Sequence, residues 1–376
     1  MIAKLCWIPG LAMMAASSGG LFAADEGFER ILAPATSSST RKTEASVVEL
    51  KDGRLLLAYT DFYTVSPRDD APARIMAKHS SDGGLTWSAP FVLVENTARQ
   101  NVMSVSLLRL ASGELAMTYM FKNSQERVGE PDPLGPDCSV LFRTSRDEGK
   151  TFSAPVTITP QRSFWVMNND RLVQLKSGRL LAPTQRLDNW PMVRHSLTQV
   201  LYSDDRGSTW KGSQLVDIRT NHDGADEPGV VELKDGRVLM YFRTDLGRIY
   251  QSFSSDQGVT WTSPEPMSLT APVSPAIVKR IPSTGDLLIV WNHTLPHRRG
   301  GHTDRFPLSA AVSRDDGRTW QIRDLDTDVR FTYGYPSLTF VKDRVLVTYW
   351  AAKDWPWWVS LKLKALPVSW FYEKDE

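Results

Sequence analysis

Ser203-Asp204-Asp205-Arg206-Gly207-Ser208-Thr209-Trp210 is one of five near copies of a single eight-residue pattern. The others run Ser80 to Trp87, Ser145 to Phe152, Ser254 to Trp261 and Ser313 to Trp320. Each copy supplies an Asp that accepts bonds from its own backbone, a Gly that tolerates positive φ, and an aromatic that packs beneath the turn. The segment therefore reads as a stapled hairpin. The Asp positions 82, 147, 205, 256 and 315 recur every 51 to 65 residues, enough for a four-stranded antiparallel sheet with its loops.

A second periodicity is independent of the first. Apolar, β-rich runs meet at short polar turns, Lys51-Asp52-Gly53-Arg54, Ala111-Ser112-Gly113-Glu114, Lys176-Ser177-Gly178-Arg179, Lys234-Asp235-Gly236-Arg237 and Ser283-Thr284-Gly285-Asp286, and at Lys342-Asp343-Arg344 without its glycine. Such turns are strong hairpin signals. After each of the first five, the octapeptide follows. Six units, five carrying the octapeptide, predict an all-β six-bladed β-propeller.

The 376 residues suit one closed domain, expected over 25–376. Lys4 precedes an apolar stretch from Leu5 to about Phe22, broken by Pro9 and closing at Ala23-Ala24. This reads as a secretory signal peptide over 1–24 and predicts a secreted or periplasmic protein with no membrane insertion after cleavage. Cys138 is the only cysteine beyond that leader, so packing and strand pairing, not a disulfide, must close the fold.

With 44 basic and 43 acidic residues, charge gives no reason to expect nucleic acid as a partner. No Gly-rich phosphate loop is present, and no cofactor is expected. His293, His297 and His302 stand among Pro and Gly, where helical spacing cannot align them, and we expect no metal. Trp355, Trp357 and Trp358 read as packing for the last unit, with a glycan-stacking platform as the alternative.

Chemistry is expected where the first strand of each unit begins and the second ends. Counting eight residues either way from the turn at Asp235-Gly236 brings Glu227 beside Arg243. The same count sets Glu44 opposite Asp61, Asn169 near Gln185 and Arg186, Ala276 near Asn292 and His293, and Tyr335 near Tyr349 and Trp350. A rim of carboxylates, guanidiniums and phenols fits an enzyme for an anionic sugar, because arginine forks hold a carboxylate bidentately. A strand-tying salt bridge is the plainer reading of Glu227 and Arg243.

On these residues the chain resembles the sialidase superfamily, whose bacterial members are six-bladed propellers carrying several copies of this octapeptide, the Asp box. The resemblance spans roughly residues 28 to 366. It implies that Glu227, in Glu227-Pro228-Gly229-Val230-Val231-Glu232, is the base of a nucleophilic Tyr335, with Tyr333 the alternative. It implies further that Arg243 and Arg305 hold a substrate carboxylate and that Asp70 is the acid/base, with Asp69 and Asp61 competing for that role.

The family's first-strand arginine is out of register. The stretch here is Thr40-Arg41-Lys42-Thr43-Glu44-Ala45-Ser46, and Glu44 falls nearer the arginine position than Arg41 does. Arg171 and Arg186, in the third unit, are candidates to compensate. The implied activity is that of a retaining exo-glycosidase releasing a terminal acidic sugar, sialic acid, from glycans. A hydrolase or lyase for another acidic sugar and a non-catalytic glycan-binding propeller are the alternatives.

Overall fold

The computed structural model describes residues 27–124, 135, 137–188, 194–220, 224–295, 305–353 and 358–373. The leader, His297, His302, Trp355 and Trp357 lie outside them. The described chain is all-β, with one short 3-10 helix at Val368–Tyr372. Its antiparallel sheets have four to nine strands and resolve into successive units. In the fourth, Asp226–Glu232, Val238–Arg243, Arg248–Ser254 and Glu265–Thr270 pair in chain order. In the last, Thr332–Val341, Arg344–Ala352 and Val359–Pro367 are joined by Phe28–Ala33 from the other end of the chain.

The octapeptides form the expected staples. Thr209 donates its backbone N and its hydroxyl to the two carboxylate oxygens of Asp205 at 2.8 and 2.5 Å. Ser203 donates to the same carboxylate at 2.8 Å while accepting from Gly207 N. These bonds hold the Asp205 carboxyl low, at about 2. The network recurs at Asp82, Asp147, Asp256 and Asp315. Gly207 has φ of +90°, and a Cβ there would lie 2.2 Å from the Phe142 ring, so both conformation and space demand glycine.

Apolar clusters lie between units. Val48, Leu56 and Ile75 of the first meet Val105, Leu107 and Met117 of the second, and further clusters join each unit to the next. Leu346, Leu361 and Leu363 of the last pack against Val47, Leu55 and Leu57 of the first. Adjacent units thus share their cores, the arrangement of a propeller-like fold. Asp170 adds a buried polar tie: it accepts from Ser46 at 3.2 Å, from Lys279 at 2.7 Å and from Leu338 N at 3.0 Å.

One local feature recurs that the turn counting overlooks. The first strand of four units carries a bulge, between Thr43 and Ser46, Met103 and Ser106, Asp226 and Gly229, and Gly334 and Ser337. Within each sits a left-handed residue: Glu44 (φ 54°), Ser104 (57°), Glu227 (47°) and Tyr335 (50°). A bulge re-aims a side chain, and a non-glycine left-handed residue costs about 1–2 kcal/mol that surrounding contacts must offset.

Two of the expected pairs differ in the structure. Lys42, not Glu44, stands opposite Asp61, and Glu44 lies inside the bulge beside Thr60. In the third unit Val166 and Trp165 face Gln185 and Arg186. Asn169 lies beyond them in a turn and bonds instead to Ala45 O at 2.8 Å and Tyr335 O at 3.4 Å.

Candidate active site

Two bulges bring together a phenol and a carboxylate more than a hundred residues apart. The Tyr335 hydroxyl donates to Glu227 Oε1 at 2.9 Å. Burial, then the charge of Glu227, pushes the phenol above its usual range, while Arg243 and Arg305 pull the other way. Tyr335 is therefore a neutral phenol bonded to a carboxyl group.

Arg243 ends the second strand of the fourth unit. Its Nη1 meets Glu227 Oε2 at 2.6 Å, and its Nε and Nη2 bond to the fully buried Asp226 at 3.0 and 2.7 Å. Arg194 adds a bond to Asp226 at 2.9 Å. Against its burial, these cations hold the Asp226 carboxyl at about 2, and the paired carboxylates raise Arg243 well above its usual value. Asp226 has no counterpart in the sequence reading. Its signal was available, since it immediately precedes Glu227.

Arg305 is 1% exposed, with its guanidinium 5.6 Å from the Tyr335 ring and 5.8 Å from the Trp350 ring. Nη2 donates to Val273 O at 3.1 Å, and the side chain also interacts with the Tyr335 hydroxyl, while buried Nε and Nη1 meet no hydrogen-bond geometry among the described residues. Burial lowers its pKa. A cation buried with open donors is suited to an anion supplied from outside.

Arg41 opens its strand within electrostatic reach of Tyr335. Residues two apart on a strand share a face, so Arg41 projects to the same side as Thr43, one step nearer the strand's start. Its guanidinium stacks 4.5 Å from the Phe62 ring, donates to Pro67 O at 3.0 Å and bonds to Asp69. Despite burial, the charges of Asp69 and Glu44 raise its pKa. Arg171 donates to Ala276 O and lies over Tyr241, with its buried Nε and Nη1 unpartnered among the described residues, and Arg186 pairs with Asp188 over Trp165.

The remaining candidates separate. Asp69, with a half-exposed side chain, is the loop acid bonded to Arg41, whereas Asp70 pairs with Arg68 at 3.0 Å. Asp61 is held by Lys42, Ser39 and Arg74. Tyr333 is buried and donates to Asp326 at 2.8 Å. Among the described residues no cluster of three metal-ligating side chains occurs. His293 lies 5.3 Å from Trp291, and Trp358 is exposed.

An all-β, propeller-like chain with stapled turns and a phenol, carboxylates and guanidiniums gathered on its bulges defines a class. Residues 107–347 match the family model described as the BNR repeat-like domain, and the chain belongs to that family, within the sialidase/BNR-repeat superfamily. It is similar to a sialidase of Bacteroides fragilis, 25% identical over 355 residues, which cover 85% of this chain and 61% of that protein. The chain thus spans about three fifths of that relative, and 44% of a Micromonospora viridifaciens sialidase to which it is 26% identical. Among solved structures, Trypanosoma rangeli sialidase in complex with 2,3-difluorosialic acid shares the fold at TM-score 0.70 and 18% identity, over 90% of this chain and 59% of that one. A Dyadobacter fermentans protein of unknown function does so at 0.70 and 20%, over 90% and 99%.

Proposed function

We propose that the protein is a retaining exo-glycosidase, built as a closed six-bladed propeller, that releases a terminal acidic sugar from glycans, with sialic acid as the leading substrate. The observation that carries the reading is the 2.9 Å bond from Tyr335 to Glu227, flanked by Arg243 and Arg305. Similarity to proteins named sialidases supports the substrate class. Export through the 1–24 leader is part of the proposal.

The chemistry follows from the groups. Arg41, Arg243 and Arg305 hold the sugar carboxylate. Asp69, reaching from the loop, protonates the departing aglycone oxygen. The Tyr335 oxygen forms a bond to the anomeric carbon as its proton passes to Glu227, and the glycosidic bond breaks. Water, deprotonated by Asp69, then displaces the phenol, which recovers its proton from Glu227, and two inversions give retention. A neutral phenol suits an anomeric centre that bears a carboxylate, because an anionic nucleophile would be repelled.

A fluorogenic sialoside assay on wild type, Tyr335→Phe and Glu227→Ala tests this. Release abolished by both substitutions supports the reading. Turnover that survives Tyr335→Phe removes it, and binding without turnover of any acidic glycan marks a non-catalytic lectin-like propeller.

A further inference from the structure

Glu44 is the one ionisable bulge residue that the proposed chemistry does not use. It is 2% exposed, and it occupies in the first unit the left-handed position that Glu227 and Tyr335 occupy in the fourth and sixth. Its Oε2 accepts from Ser104 Oγ at 2.9 Å and Thr60 Oγ1 at 3.4 Å, while Oε1 lies 3.9 Å from Arg41 Nη2. Arg41 is itself bonded to Asp69 and to Pro67 O, which leaves Glu44 only part of that charge.

The groups facing Glu44 come from several elements. Arg41 shares its strand, Asp69 comes from the following loop, and Glu227 and Tyr335 come from the fourth and sixth units. Lys362, on a strand that also packs on the Glu44 strand, is held by Glu29 and Asp326. Around the phenol, the guanidiniums of Arg41, Arg243 and Arg305 face the carboxyls of Glu44 and Glu227. An ionised Glu44 offsets part of the positive charge that would attract an anion.

Resting on the proposed reading of this site as a carboxylate-sugar pocket, we propose that Glu44 couples substrate capture to a proton: as a neutral acid it leaves the pocket cationic, and as a carboxylate it expels the substrate anion. Burial, opposed by Arg41, supports this by lifting the Glu44 carboxyl to about 7. One proton is taken up from solvent for each acidic sugar bound at alkaline pH, and it returns when the sugar leaves. Glu44 is a specificity-determining group here, with no bond made or broken on it.

The test is titration calorimetry with an unreactive carboxylate-bearing analogue, 2,3-didehydro-2-deoxy-N-acetylneuraminic acid, from pH 5.5 to 8.5 in buffers of different ionisation enthalpy. Wild type is expected to lose about tenfold in affinity per pH unit above 7 and to take up close to one proton per ligand at pH 8. Glu44→Gln is expected to bind with no such slope or uptake. Ser104→Ala, which removes a bond donated to the carboxylate, is expected to move the break to higher pH. Binding by wild type without proton uptake, or equal uptake in wild type and Glu44→Gln, overturns the proposal alone. No binding by either protein at pH 5.5 overturns the carboxylate-sugar reading, and this proposal with it.

Discussion

The hydroxyl of Tyr335 points at the carboxylate of Glu227 across 2.9 Å, and each residue sits at the left-handed position of a β-bulge in a different unit. The shared distortion turns both side chains out of the regular alternation of their strands and toward each other. The backbone thus sets the distance between the phenol and the carboxylate.

Tyr335→Phe keeps the ring against Arg305 and removes only the oxygen. Its kcat on a sialoside is expected to fall by about 10³-fold or more, with a thermal midpoint close to wild type. Steady-state kinetics with a matched melting curve checks this.

Arg243→Ala and Arg305→Ala are expected to differ. Arg243 pairs with both buried carboxylates, so its loss leaves Asp226 to Arg194 alone and Glu227 without its ion pair, and should cost about 3–5 kcal/mol of stability. Arg305, with its open donors, should mainly weaken ligand binding. Denaturant unfolding beside analogue titration separates the two effects.

Asp69→Asn is expected to abolish release of poor leaving groups while sparing those that depart without a proton, such as nitrophenol. Asp70→Asn, which removes a contact with Arg68, should affect both alike and mildly. A comparison of kcat/KM across aglycones of graded pKa reports the distinction.

Stability should carry the mark of Glu44. Its carboxyl is raised in the folded state, so its contribution is fully present below the unfolded value of 4.5 and is lost as pH climbs through about 7. Glu44→Gln should therefore gain on wild type across that window, by on the order of 3 kcal/mol at its alkaline end. Urea unfolding at pH 5 and pH 8 measures it.

Much of the fold was legible because the octapeptide is a local device: Asp205 and Thr209 bond within one turn, whatever the rest of the chain does. The contact of Glu227 with Arg243 was also readable, although the bulge makes Asp226 the strand partner of Arg243. Asn169 was misplaced because the first strand of its unit stops at Val166 and the chain turns, and Glu44 because of a bulge. A bulge inserts a residue without leaving a glycine to announce it, because tertiary bonds such as Ser104 to Glu44 hold a bulky side chain in the left-handed region. The bond of Asp69, and not Asp70, to Arg41 is a contact across a loop that spacing does not encode.

The most direct measurement is peptide mass spectrometry after incubation with a 2,3-difluorinated sialic acid, whose fluorines slow breakdown of a glycosyl-enzyme. The account predicts one sugar adduct on the peptide containing Tyr335, absent from Tyr335→Phe. An adduct on Glu227 or elsewhere, or turnover of a sialoside with no adduct on Tyr335, would contradict it.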